Sequence, residues 1–242
     1  GDCEVYRGDC TKHGMYDAVL SPEIIWKKCG ACDHVFTSGH FTPEVSEVIF
    51  SRLKDSRKVG YNLEQNRKVS ARIIEKVLPY ADSGRWLDVG FGNGALLLTA
   101  REFGFEPVGV DLRKDNVNAL HQLGVEAYCE QLESLGGIEK CSVVSMMDVL
   151  EHVPHPKQFL AAARDLMADG TPLAISMPNS ESHLWDYATA SGQNPYWGEL
   201  EHFHNFSRTR LYALLEETGF KPVRFGLSER YRMCMEVIAQ RV

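Results

Sequence analysis

The sequence predicts an α/β fold, a doubly wound and mostly parallel sheet, and three observations carry that prediction. Apolar runs of strand length alternate with amphipathic helical stretches from Ala81 onward. The stretch Trp86–Gly94 (WLDVGFGNG) leads from a short buried strand, Trp86–Val89, into the helix-forming run Ala95–Ala100. Gly90, Gly92 and Gly94 punctuate the turn between them, where backbone must bend with positive φ or approach a ligand closely. Twenty-one residues after Gly90, Asp111 closes the apolar run Pro107–Val110. A carboxylate there is placed to accept hydrogen bonds from ribose hydroxyls.

Taken in order, residues 1–40 carry two paired motifs, Cys10-x-x-His13 and Cys29-x-x-Cys32, with fifteen residues between them. Four such ligands suit a tetrahedral Zn²⁺, and this segment reads as a zinc-binding knuckle that stabilises a stretch too short for its own core. Cys3 is an alternative to His13 as fourth ligand. The competing readings are free loop cysteines or a redox pair at Cys29 and Cys32. His34 and His40 read as loop histidines.

Residues 41–80 read as helices. Thr42–Tyr61 has helical tendency, with Val45, Val48, Ile49 and Leu53 at helical spacing. Leu63–Leu78 is clearer, its stripe made by Val69, Ile73, Ile74, Val77 and Leu78 and its end marked by Pro79. The boundary between the cysteine-bearing segment and these helices falls near Gly39–Pro43.

Residues 81–242 form the main domain. After the glycine turn the helix runs to about Phe103. Val108–Val110, Val125–Cys129, Cys141–Met147 and Pro172–Met177 read as the next strands, with helices at Asn116–Leu123 and Lys157–Met167 between them. Residues 181–206 interrupt the alternation with Trp185, Tyr187, Tyr196, Trp197, Phe203 and Phe206. An insertion that long favours a functional lid, although most of its aromatics pack a satellite core. Ser207 caps a helix over Arg208–Thr218. Arg224–Leu227 and Met233–Gln240 read as the last strands.

The totals exclude several classes. The 242 residues fit one α/β domain with a small appendage. A formal net charge of −7 argues against broad nucleic-acid or anionic-membrane binding. No apolar run approaches the ~20 residues of a transmembrane helix. No signal peptide is visible, and seven cysteines, spaced as for metal rather than disulfides, predict a reducing, cytoplasmic setting.

The glycines follow a G-x-G-x-G spacing, not the G-x-G-x-x-G of dinucleotide folds, and Asp88 lies two residues before the first of them. A second motif, Asp148–Pro156 (DVLEHVPHP), follows the fourth strand, and Glu201–Ser207 (EHFHNFS) precedes the last helix. Together these resemble class I S-adenosylmethionine (SAM)-dependent methyltransferases, small-molecule enzymes of the ubiquinone-biosynthesis type, over roughly Leu63–Val242. The cysteine pairs resemble the zinc knuckle before this domain in some antibiotic-sugar methyltransferases. The C-terminal domain of those enzymes has no counterpart here, so their sugar substrate is not carried over.

The resemblance implies a Rossmann-like, seven-stranded sheet whose last strand is antiparallel. It implies that SAM is held by Gly90, Gly92, Gly94, Asp88, Asp111, Leu112, Gln131, Met147 and Asp148, with Tyr61 and Arg67 at its carboxylate. It places His152 and His155 where the methyl is transferred. A histidine titrating near neutrality suits removal of the acceptor's proton, which makes His152, His202 and His204 the candidate bases. The expected reaction is methyl transfer to oxygen or nitrogen of a small molecule, with secondary-metabolite biosynthesis as the expected setting. The rivals are an NAD(P)-dependent oxidoreductase and a non-catalytic, zinc-bearing interaction protein. RNA methylation is disfavoured by the charge and by the lack of an NPPY-like motif.

Overall fold

The computed structural model describes residues 1–14, 16–42, 45 and 55–242. Apart from Val45, the apolar positions of the helix expected over Thr42–Tyr61 lie outside the described residues.

A four-stranded antiparallel sheet is formed by β1 (Cys3–Asp9), β2 (Glu23–Lys28), β3 (Val35–Thr37) and β9 (His204–Asn205), in that order. The first three come from the N-terminal segment, expected as metal-bound turns. The fourth comes from the aromatic insertion, so this sheet spans the expected boundary at Gly39–Pro43. Trp26 is its anchor. Its ring is fully buried against Leu20, Ile24 and Leu200, and its Nε1 donates to the Trp197 carbonyl at 2.9 Å. Trp197 in turn stacks on Tyr6, with centroids 5.2 Å apart.

The main sheet has seven strands: β4 (Gly84–Val89), β5 (Phe105–Val110), β6 (Glu126–Tyr128), β7 (Val143–Met147), β8 (Pro172–Pro178), β10 (Phe220–Leu227) and β11 (Cys234–Arg241). Their spatial order is β10-β11-β8-β7-β4-β5-β6. Pairings from β6 through β8 are parallel, and β11 is antiparallel to both of its neighbours. The sequence-based expectation of a reversed final strand holds. Every residue of β7 and β8 is buried, as central strands covered on both faces require. The edge strand β10 carries Pro222 beside a register shift, where a missing donor is tolerated.

Helices cover both faces. On one side α1 (Leu63–Val77), α2 (Ala95–Glu102) and α3 (Lys114–Gln122) pack Ile73, Ile74, Val77, Leu97 and Leu120 around Trp86. On the other, α4 (Pro156–Asp165) and α6 (Arg208–Glu217) bury Phe159, Leu160, Leu211 and Leu215. Pro156 opens α4, where its missing N–H costs nothing. Ser207 caps α6, its hydroxyl accepting from the Arg210 N–H at 3.0 Å. In the insertion, α5 (His183–Ala190) is capped by Ser182 in the same way. The strand β5 starts earlier than its apolar run predicts, because Phe105 packs edge-on against Trp86 at 4.9 Å.

Candidate active site

The glycine turn sits at the C-terminal end of β4 and opens α2. Gly90, Gly92 and Gly94 have φ of 67, 54 and 73°, a region that L side chains enter at a cost. A Cβ on Gly90 would stand 2.8 Å from Val149, whereas one on Gly92 would meet, among the described residues, only a carbonyl at 3.9 Å. Backbone at Gly92 therefore faces open space, as a surface that receives a ligand must. Gly109 keeps the neighbouring strand close, since a Cβ there would lie 2.7 Å from the Phe91 ring.

Asp111 stands at the C-terminal end of β5 and is 4% exposed. Its carboxylate accepts from the Gly92 N–H at 3.1 Å and from the Arg113 guanidinium at 2.7 and 2.8 Å. The Arg113 backbone N–H donates to it as well, at 2.9 Å, so its roughly four lone-pair sites are all engaged and a diol could bind only in place of the Arg113 guanidinium. Leu112 beside it exposes its apolar side chain. Gln131 is exposed beyond β6. Tyr61 is also exposed, in a segment tied to the turn by Gly60 N–H donating to the Asn93 carbonyl at 3.1 Å.

Two expected cofactor contacts are corrected by the geometry. Arg67 is bound by Glu102 at 2.6 Å, at the far end of α2 from the glycine turn. Asp88 is a tie inside the sheet: it is fully buried and accepts from Ser145 Oγ at 2.6 Å, and that hydroxyl accepts from Trp86 Nε1 at 2.8 Å. Burial pushes the Asp88 carboxyl up to about 7.

Met147 ends β7 and is buried. Asp148 follows with φ of 59°, unusual for a residue with a side chain. Its Oδ1 accepts from Ser176 Oγ at 2.7 Å, and its Oδ2 lies 3.4 Å from Arg230 Nη1. The next turn brings Glu151 and His152 against His202, from the insertion. The His152 and His202 rings meet edge-on at 4.6 Å. Glu151, His152 and His202 are the one group among the described residues whose metal-binding atoms converge to within 4.8 Å. Burial raises the Glu151 carboxyl well above the usual range, helped by the Asp148 charge. Burial, with His152 and Arg57 nearby, holds His202 well below the usual histidine value. His152 is lowered too, chiefly by burial, and its Nδ1–H donates to the Glu201 carbonyl at 2.8 Å.

His204 is not in this group. Its Nε2–H donates to the Val153 carbonyl at 3.1 Å, which leaves Nδ1 to accept from His34 Nε2 at 3.0 Å. Both nitrogens are engaged, so the expected base is instead a link between β9 and β3. His34, a loop histidine as expected, is half-buried just before β3 and forms the other side of that link. His155 is exposed and meets His40 edge-on at 5.6 Å.

A chain of polar contacts that sequence reasoning missed joins the glycine turn to the histidines. Asn116 Nδ2 donates to the carbonyls of Gly92 and Arg57, at 2.8 and 2.9 Å. The Arg57 guanidinium bonds Glu201 Oε2 at 3.0 Å, and the Glu201 carbonyl holds His152. Arg57 and Glu201 are 144 positions apart, so no local pattern announces them. Glu151 and Glu201 each precede a candidate histidine in the quoted motifs, and that adjacency was the available signal.

The expected zinc ligands do not converge. In the β1–β2 hairpin Asp9 pairs with Glu23 and Cys3 with Lys28. Cys10 and His13 therefore lie at one end, and Cys29 and Cys32 follow the other. Cys10 is buried among apolar side chains, and His13 lies 3.6 Å from Glu199. The thiol of Cys29 is lowered by backbone N–H groups of Ala31 and Cys32 and by the Cys32 side chain, so that pair does share one turn. Cys3 falls at this end of the hairpin, yet Cys3, Cys29 and Cys32 are not among the groups that converge. These residues do not fit a single tetrahedral ion.

With this geometry in hand, the likeness to known proteins is specific. Residues 62–224 match the profile of a family described as a methyltransferase domain. The chain is 27% identical over 177 residues to a ubiquinone biosynthesis O-methyltransferase of Cereibacter sphaeroides (strain KD131 / KCTC 12085), covering 69% of this chain and 71% of that one. Among solved structures, 1,6-didemethyltoxoflavin-N1-methyltransferase of Burkholderia thailandensis, with S-adenosylhomocysteine bound, superimposes with a TM-score of 0.60 at 18% identity. That match covers 88% of this chain and 98% of the other. Magnesium protoporphyrin IX methyltransferase of Synechocystis PCC 6803, with SAM bound, gives 0.56 at 16% identity over 85% and 99%. At such identities the structural likeness speaks for the fold.

Proposed function

Since the chain belongs to the methyltransferase domain family, we propose that it transfers a methyl group from SAM to an oxygen or nitrogen of a small molecule. The observation that supports this best is the open backbone at Gly92, flanked by the Asp111 carboxylate and linked through Asn116, Arg57 and Glu201 to His152. The residues to hold the donor are Gly90, Gly92 and Gly94 by backbone, Asp111 at the ribose, Leu112 and Gln131 at the adenine, and Tyr61, Met147 and Asp148 around the rest. When bound, SAM supplies a sulfonium methyl that is already electrophilic, so the protein's task is alignment and proton removal.

His202 is the base in this reading. At neutral pH its imidazole is uncharged and ready to accept a proton. His152 orients it, held in turn by the Glu201 carbonyl. Asp88 and Met147 stiffen the sheet beneath. The main domain, residues 81–242, carries the chemistry, the 181–206 insertion closes over the acceptor, and residues 1–40 support that insertion through β3 and β9. Zinc has no part in this reading. Among the described residues no helix is long and apolar enough to cross a membrane.

Isothermal titration tests the proposal. S-adenosylhomocysteine should bind with a stoichiometry near one, and NADH should not bind. Saturable NADH binding without S-adenosylhomocysteine binding restores the oxidoreductase alternative, which the reversed β11 and the glycine spacing oppose.

A further inference from the structure

A second cavity lies between the N-terminal sheet and the insertion. Its volume is about 280 Å³, the size that takes a molecule of one or two rings. Leu20, Ile24, Phe41 and Leu200 line it, with His202 and Phe203 taken as its floor. The aromatic groups are set edge-on, Phe203 against Phe41 at 5.2 Å and against His40 at 5.3 Å.

The floor is bolted to the reaction centre. The Phe203 N–H donates to the Glu151 carbonyl at 2.8 Å, and the Phe203 carbonyl accepts from the Thr37 N–H at 2.9 Å. His202 belongs to both places: it lines the cavity, and its ring meets that of His152 at 4.6 Å. Its Nδ1 is buried with no hydrogen-bond partner among the described residues. A buried polar atom of this kind marks a site that expects a polar group.

Charge narrows the occupant. Among the described residues the lining contains no lysine or arginine, and its one carboxylate there, Glu23, is half exposed and paired with Arg7 at 2.7 Å. A phosphate, diphosphate or carboxylate placed here would lose its hydration without gaining a cation. We propose that this cavity is the acceptor site, and that the acceptor is an uncharged ring compound whose hydroxyl reaches His202. The proposal rests on the methyltransferase reading above and adds to it the substrate class and the role of residues 19–42, which otherwise only brace the insertion.

The full chain, saturated with S-adenosylhomocysteine, is titrated with 1-naphthol and separately with 1-naphthyl phosphate, following the probe's fluorescence. The expected result is saturable binding of 1-naphthol at least tenfold tighter than that of the phosphate ester. Two variants narrow the cavity, Ile24→Trp in its wall and Ser38→Trp at its rim. Each should weaken 1-naphthol at least tenfold and leave S-adenosylhomocysteine within twofold of the unaltered protein. Ile24 belongs to a buried cluster, so if that variant fails to fold, Ser38→Trp decides. Equal or tighter binding of the phosphate ester, no saturable 1-naphthol binding, or unaltered 1-naphthol binding in the folded variants overturns the acceptor site alone. Loss of S-adenosylhomocysteine binding in the unaltered protein overturns the methyltransferase reading and this inference with it.

Discussion

Asp111 is where one side chain decides most. In Asp111→Asn the anionic acceptor for a ribose diol is gone while the shape stays. S-adenosylhomocysteine affinity should fall at least tenfold, about 1.4 kcal/mol, as read by titration. Gly109→Ala tests the turn from behind. Its Cβ would stand 2.7 Å from the Phe91 ring, and crowding of that kind costs roughly 1–3 kcal/mol. Chemical denaturation should show the loss, and the cofactor analogue should bind more weakly as Phe91 is pushed into the turn. His202 gives a pH signature. Because burial holds it well below the ordinary histidine value, the proton-accepting form dominates throughout the neutral range. The kcat/KM profile should therefore be flat from pH 8 to pH 6. An inflection near 6.5 would assign the proton to a solvated histidine instead. Of these residues, the glycines and Asp111 were legible because strand, turn and carboxylate follow one another locally. Arg113, which grips Asp111, was not, because nothing in its spacing says which way its side chain turns.

The link between β3 and β9 is the element with the clearest solution behaviour. Burial lowers His34 to about 3 and His204 to about 4. In the unfolded chain both return to about 6.5. Below that pH the unfolded state binds protons that the folded state does not, so stability present above pH 6.5 is lost as pH falls toward 4. At about 1.4 kcal/mol per pKa unit, Tm should fall by roughly 5 °C or more between pH 7 and pH 5. His34→Phe should show a shallower dependence, whatever its absolute Tm. The hairpin beside this link makes a different forecast. Cys10 and His13 sit at the opposite end from Cys29 and Cys32, so a doubly substituted Cys10→Ala, His13→Ala protein should carry the same metal content as the unaltered one by atomic emission. Sequence reasoning placed these four together because spacing reports only neighbours along the chain. It also missed β1, β2 and β3. Their partner β9 lies far off, with His34 and His204 separated by 170 positions, and short half-exposed strands leave a weak alternation.

Across the whole molecule, the five parallel strands were legible because each strand–helix unit declares itself by its own apolar period, and the reversed last strand came with the family resemblance. What joins the two sheets was not. The Arg57–Glu201 pair spans the cofactor turn and the insertion, with the glutamate side chain only 4% exposed. Arg57→Ala leaves that carboxylate buried beside His152 and should cost roughly 2 kcal/mol of stability, with kcat falling more than S-adenosylhomocysteine affinity. Equal losses in both would assign the pair a role in cofactor binding alone. The position of β11 has a consequence during synthesis. It lies between β8 and β10 but is the last strand to be made. Until residues 234–241 leave the ribosome, β8 presents a bare apolar margin and β10 has nothing to join. A nascent polypeptide stalled before that point would offer chaperones a long, sticky rim, and only the synthesis of β11 removes it.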